Sequence, residues 1–270
     1  MNWRAIRAVV RRDLTLVRQS KAVMIPLVTV PLVLLVILPL VATLAPNYVN
    51  IPGLDDLDAL LGQMPEDVRA GLAGAGDQER LVVLLTVYLF APLFLLIPTM
   101  VANVIAADSF AGEKERKTLE ALLYSPMTDR EIVTAKLLAP WLAAMAVTFV
   151  GFVLYAIVVN GGAWPVMERI FFPTPMWLLL VLWVAPAVAA LGLGGAVLVS
   201  LRVGTVQEAY QLGGLVVLPV VALMVSQATG LLFFTTTVVF VIGLLVWLLA
   251  LGLLLIAVRS FDRPRLTVQS

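Results

Sequence analysis

The sequence predicts an all-α polytopic membrane protein with six transmembrane helices, and three observations predict it. Of 270 residues, 61% are apolar and only 13% are charged, whereas a soluble domain charges about 25% of its positions. Six runs free of Asp, Glu, Lys and Arg, at 22–45, 81–107, 137–159, 177–199, 212–227 and 231–258, approach or exceed the roughly 20 residues a helix needs to cross the hydrocarbon core. Those runs are continuously apolar, without the ten-residue alternation of an outer-membrane strand, which argues against a β-barrel. The net charge of +1 fits neither a disordered polyelectrolyte nor a nucleic-acid-binding domain.

The chain opens on a basic segment, 1–21. At about 100° per residue, Trp3, Ile6, Val10, Leu14 and Val17 share one stripe, with Arg4, Arg11 and Arg18 on an adjoining face. This pattern predicts an interfacial amphipathic helix, apolar side toward the acyl chains and arginines toward anionic headgroups. A basic tail that only sets topology is the simpler alternative. The first span, 22–45, carries Pro26, Pro31 and Pro39 and is too long for the apolar region of a cleaved signal peptide, so it is expected to be retained.

Loop 46–80 holds seven acids (Asp55, Asp56, Asp58, Glu66, Asp67, Asp77, Glu79) against Arg69 and Arg80. It is expected to be a solvated external cap with a short helix around 54–61. The second outer loop, 161–176, contains Trp164, with Trp177 just beyond, and the Pro173-Thr174-Pro175 corner, and its aromatics are expected to anchor at the interface. The fifth run is the weakest, being short, carrying Pro219 and parted from the sixth only by Gln227-Ala228-Thr229-Gly230. Fifteen of the 18 basic residues fall on the side that holds both termini, and only Arg69, Arg80 and Arg169 on the other. The positive-inside bias therefore places both ends in the cytoplasm, and a five-span reading would put the Arg259 to Arg265 cluster outside.

The six runs contain no Asp, Glu, Lys or Arg, which disfavours a cation-coupled carrier, because such carriers bury charged groups on their pathway. Asn103, Thr86, Thr148, Gln227 and Thr235-Thr236-Thr237 are the polar candidates, each expected as helix–helix glue. Gly192, Gly194, Gly195, Gly213 and Gly214 predict close helix approach or a kink. Cysteine and histidine are absent, which removes disulfides, thiolate and imidazole metal ligands and His-dependent catalysis. None of Lys21, Lys114, Lys117 and Lys136 follows a glycine, so no Walker-type phosphate loop exists, and no cofactor is expected on this chain. An intramembrane lipid-processing enzyme built on Asp108, Glu113 and Glu115 is a remaining alternative, although those acids lack the recurring spacing of a metal-dependent site.

The densest mixture of charges is 108–136, DSFAGEKERKTLEALLYSPMTDREIVTAK. Glu113 can meet Arg116 and Lys117 at i+3 and i+4, and Leu119, Leu122 and Leu123 repeat at helical spacing, which predicts a short amphipathic helix. Ser125-Pro126 ends it, and Thr128-Asp129-Arg130-Glu131 reads as a capping box opening the third span. Such an element offers an apolar knob ringed by charge to a cytoplasmic partner, or else is a solvated, salt-bridged loop.

The run Gly112-Glu113-Lys114-Glu115-Arg116-Lys117-Thr118-Leu119-Glu120-Ala121-Leu122-Leu123, followed by Ser125-Pro126 and a helix reaching Lys136-Leu137-Leu138, resembles the GEKE-x-x-TLE-x-LL-x-SP signature of ABC type-2 exporter permeases. The resemblance extends to the whole plan of a connecting helix, six spans and a charged loop between spans two and three. It implies a coupling helix that docks on a separate ATPase through Glu113, Lys114, Glu115, Arg116, Lys117, Thr118, Leu119, Glu120, Leu122 and Leu123. Gln207-Glu208-Ala209-Tyr210-Gln211 also resembles some bacterial and archaeal members, which suggests Gln207, Glu208 and Tyr210 as a second contact; Thr205 with Glu208 equally fits a capping box. By this resemblance the chain, residues 1–270 as one permease domain, is a subunit of an exporter in a prokaryotic cytoplasmic membrane. It would pair with a second permease, as homodimer or heterodimer, and with ATPases that bind ATP and Mg. A charge-free interior suits a hydrophobic or amphiphilic cargo; a sodium or other small-ion exporter of the same family is the alternative. The sequence departs from many members in leaving about four residues between spans five and six, where those members place re-entrant helices.

Overall fold

The computed structural model describes residues 2–48, 62, 65–72, 74–115, 127–200, 202–203, 205–229 and 231–260. Among them there is no strand, and six helices are long and apolar enough to cross a membrane. In chain order the elements are α1 (Trp3–Gln19), α2 (Lys21–Ala45), α3 (Glu66–Gly71), α4 (Asp77–Gly112), α5 (Asp129–Met167), α6 (Pro175–Ser200), α7 (Val206–Gln227) and α8 (Thr236–Ser260). The expected helix around 54–61, with Asp55, Asp56 and Asp58, lies outside the described residues.

The bundle is organised around α4 and α6, the two most buried spans, with α6 packed on α4 and on α8. Glycine makes this sandwich close. A Cβ on Gly192 would lie 3.0 Å from the Thr99 carbonyl oxygen of α4, and one on Gly194 would lie 3.1 Å from Leu253 Cβ of α8. Two residues apart on a helix point to different sides, so this pair serves two neighbours. Helices α2, α5, α7 and α8 instead turn apolar faces outward, including Val28 and Leu32, Val150 and Ile157, Leu218 and Val221, and Leu248 and Leu249. Such faces suit acyl chains, in which apolar exposure carries no hydrophobic cost.

Helix α4 is interrupted where its sequence demands it. A wide turn at Leu84–Leu89 precedes Pro92, which has no N–H to give the backbone ladder. Three successive carbonyls there are each met by a side chain from a different helix: Thr86 by the Tyr155 hydroxyl, Val87 by Trp177 Nε1 at 2.7 Å, and Tyr88 by Gln227 Nε2 at 2.6 Å. The rings pack into one cluster, with Tyr155 stacked on Trp177 at 4.8 Å and Phe172 edge-on to both. Gln227 thus acts as the interhelical glue expected of it. Thr86 and Thr148 instead donate to carbonyls one turn back on their own helices.

Several expectations are corrected. Trp177 is no interfacial anchor but is fully buried, because its indole N–H is needed at the α4 break; Trp164 is exposed, as an anchor would be. The outer connection after α5 is shorter than 161–176, since α5 stays helical to Met167 and ends on Glu168 in a left-handed conformation. Asn160 then holds the connection, donating to the Phe172 carbonyl at 2.7 Å and accepting the N–H groups of Phe171 and Phe172. The sixth span starts at Thr236 and not at 231, because the Thr235 hydroxyl accepts the Val238 N–H and caps the helix. The weak fifth run is lengthened at its start: α7 begins at Val206, tightens at Gly214–Val216 ahead of Pro219, and runs 22 residues. At 1.5 Å per residue that is about 33 Å, enough for a core of about 30 Å.

Candidate functional site

One end of the bundle gathers α1, the end of α4, the start of α5 and the start of α7, and of these α4 and α5 bracket 116–126 in the chain. Helix α1 begins on Asn2, whose side chain accepts the Ala5 N–H at 3.3 Å. Glu131 accepts the Asn2 N–H with one oxygen and the Thr128 N–H, at 3.0 Å, with the other. The capping box expected at Thr128 to Glu131 therefore forms, and it also ties α5 to α1. Ile6 and Val9 pack with Ala135, flanked by Val10, Met127 and Leu138.

The buried stripe of α1 is Ile6, Val9, Asp13 and Val17, rotated from the expected one. Trp3 is 62% exposed and Leu14 only half-buried, because α1 lies against α5 along one side and keeps part of its apolar stripe free. The stripe buries an acid. Burial raises the Asp13 carboxyl above its ordinary range, with Glu113 adding to the rise and Lys136, Arg12 and the Ser109 hydroxyl opposing it. Its Oδ2 accepts from Ser109 Oγ at 3.4 Å, and its buried Oδ1 has no hydrogen-bond partner.

Beside Asp13 lies an ion cluster that joins three helices. Lys136 of α5 is completely buried, and its Nζ stands 2.6 Å from Glu113 Oε2. It donates to the Ser109 carbonyl at 3.0 Å and lies 5.3 Å from the centre of the Phe110 ring. Glu113 Oε1 accepts from Arg12 Nη2 of α1 at 3.0 Å. The wide turn at Asp108–Gly112 makes this geometry, for the Glu113 N–H turns to the Phe110 carbonyl and leaves the Ser109 carbonyl for lysine. A buried ammonium needs such a cage of oxygens to offset its lost hydration.

The start of α7 is fastened to the same place. Glu115 Oε2 accepts the Val206 N–H at 3.1 Å, and Thr205 Oγ1 accepts the Glu208 N–H at 3.3 Å, so the capping expected of Thr205 is present. Ala107 and Ala111 of α4 pack with Val203 and Ala209, against which Tyr210 is half-buried. Gln207 and Glu208 face outward.

Of the residues expected to couple to an ATPase, Glu113 lies inside the ion cluster and Glu115 caps α7. Arg116, Lys117, Thr118, Leu119, Glu120, Leu122 and Leu123, and the side chain of Lys114, lie outside the described residues. Asp108 is buried, its Oδ1 standing 3.1 Å from where a Cβ on Gly112 would sit. Among the described residues no group of three or more acids could hold a metal ion. Arg12 and Lys136 count in the sequence only among the basic residues that set topology, and Asp13 is given no role there. One signal for them was present: Asp13 is the only acid of α1 and falls at the angular position of Ile6 and Val17.

Residues 8–263 match a family model described as ABC-2 family transporter protein. The chain belongs to the ABC-2 transporter family. No curated protein and no solved structure matches it. It is thus a multi-pass membrane protein of the ABC-type permease class, in a family whose membrane subunits are generally non-catalytic and typically partner an ATPase subunit. Gly112 and Glu113, the described start of the run 112–123, lie at the end of the bundle just described.

Proposed function

We propose that this ABC-2 chain is the permease subunit of an exporter in a prokaryotic cytoplasmic membrane, with both termini in the cytoplasm and a separate ATPase as its motor. The observation that carries the reading is the family match over 8–263. The described chain stops at Glu115, two residues past Glu113, and resumes at Met127, four residues before Glu131, so a partner that moves the residues between acts on α4 and α5 together. In this reading Leu119, Leu122 and Leu123 form the apolar contact with the ATPase, Lys114, Arg116, Lys117, Thr118 and Glu120 ring it, and Gln207, Glu208 and Tyr210 make a second contact. ATP and Mg are held by the partner. The cargo is hydrophobic or amphiphilic, because the six apolar runs offer a charged solute no counter-charge. The outward apolar faces of α2, α5, α7 and α8 leave room for a second permease, identical or homologous.

The test is Leu119→Asp combined with Leu122→Asp, in membranes that also contain the co-expressed ATPase. Membrane insertion is expected to persist, while co-purification of the ATPase and its stimulation by the permease are lost. Normal ATPase coupling in that double variant overturns the docking assignment.

A further inference from the structure

The ion cluster sits where three chain-distant segments meet, and its parts share one mechanical property. Lys136 is fully buried and its ammonium contacts Glu113 Oε2 and the Ser109 carbonyl. Glu113 is buried in turn and holds Arg12. Separating Lys136 from Glu113 would leave a charge in a poorly hydrated interior, which is far more costly than sliding apolar surfaces past one another, whereas Arg12, half-exposed, adds a weaker tie. The cavity between the three helices, lined by Asp13, Ile105, Asp108, Ser109, Glu113 and Pro140 among others, measures about 20 Å³. That is room for about one water molecule. The cluster also brackets the docking segment, with Glu113 three residues before Arg116 and Lys136 within two turns of the start of α5. From the start of α5 the helix runs for 39 residues to Met167, with Pro140 and Pro165 inside it, a length of about 58 Å.

We infer that Arg12, Asp13, Ser109, Glu113 and Lys136 form a rigid joint that turns displacement of 116–126 into joint motion of α1, α4 and α5. Glu113 and Lys136 are its positioning residues. They touch no cargo and no nucleotide; they fix the angle at which α1 and α5 leave the segment that is pushed. Helix α1 is in this view a working part, which its reading as a headgroup-layer helix does not provide. The inference rests on the docking of 116–126 to an ATPase.

The test uses the complete complex of permease and co-expressed ATPase, measuring co-purification together with kcat and KM for ATP of the permease-stimulated hydrolysis. Glu113→Gln keeps the shape and removes the charge that holds Arg12 and Lys136. It is expected to leave co-purification and the KM for ATP unchanged and to lower the stimulated kcat by roughly fivefold or more, the lower range of site-to-site coupling. Arg12→Gln, at a half-exposed position that tolerates change, is expected to move kcat the same way by less, and Arg12→Lys to restore it. A defect of folding alone lowers the amount of complex without splitting kcat from KM and without rescue by lysine. An unchanged kcat in both Glu113→Gln and Arg12→Gln overturns the joint, as does loss of co-purification with normal kcat per bound ATPase. If Glu113→Gln does not reach the membrane, the Arg12 pair decides. Failure of the docking reading is recognised separately, in the Leu119 and Leu122 double variant.

Discussion

Tyr155→Phe isolates one hydrogen bond at the break in α4. The tyrosine is fully buried, its ring stacks on Trp177 at 4.8 Å, and its hydroxyl donates to the Thr86 carbonyl. Phenylalanine keeps the ring and removes only that donor from a fully buried site. An intramolecular hydrogen bond contributes about 0.5–1.5 kcal/mol, and bonds between transmembrane helices average about 0.6 with a maximum near 1.7. The buried position places this one in the upper half, about 1 kcal/mol, equivalent to a melting shift of roughly 2–4 °C. Tyr155→Ala also deletes the packing and is expected to cost about 3–5 kcal/mol. The assay is thermal unfolding of the purified protein in one detergent, all three proteins side by side. A Tyr155→Phe protein that melts with wild type, while Tyr155→Ala falls steeply, would refute the role given to the hydroxyl and leave the ring alone as the stabilising element.

Gly192→Ala is expected to cost about 1–3 kcal/mol, the range for overpacking, because its Cβ would press on the Thr99 carbonyl. Gly214→Ala, where a Cβ meets nothing within 4 Å, is the control, and equal melting of the two disproves the close-approach argument. Lys136→Met leaves the Glu113 carboxylate buried without its ammonium and is expected to destabilise by about 3–5 kcal/mol; adding Glu113→Gln should recover much of that loss, because removing both charges is close to neutral. A double variant less stable than Lys136→Met contradicts the pairing. Asp13→Asn tests the raised carboxyl, which faces Lys136, Glu113, Arg12 and Ser109. The folded protein holds the Asp13 proton more tightly than the unfolded chain, so this group favours folding at pH below about 3.8, and that contribution is lost as pH rises through the folded value. The asparagine variant should therefore gain stability over wild type as pH rises, read as melting temperatures at several pH values from 4.5 to 8; a gap independent of pH contradicts it.

The spans were legible in the sequence because hydrocarbon imposes one rule on every residue that enters it, and a charge-free run of about 20 residues satisfies that rule whatever its neighbours are. The capping box at Thr128 was legible for a similar reason, since it depends on four consecutive residues. Where an outcome depended on a partner helix, the sequence misled or was silent. Trp177 resembles any interfacial tryptophan until the break in α4 leaves a carbonyl within reach of its indole. Lys136 looks like one more cytoplasmic cation until Ser109, Glu113 and Phe110 close around it.

Composition, span length and the bias of basic residues thus determined by themselves that this is a six-span helical membrane protein, and the Gly112–Leu123 run pointed to its family. Tertiary structure alone decided that Arg12, Asp13, Glu113 and Lys136 meet, although they come from segments some 100 and 20 residues apart. The reason is physical: solvation in lipid or water is a property each residue carries along the chain, whereas the stability of a buried charge depends on which opposite charge folding brings within about 3 Å of it.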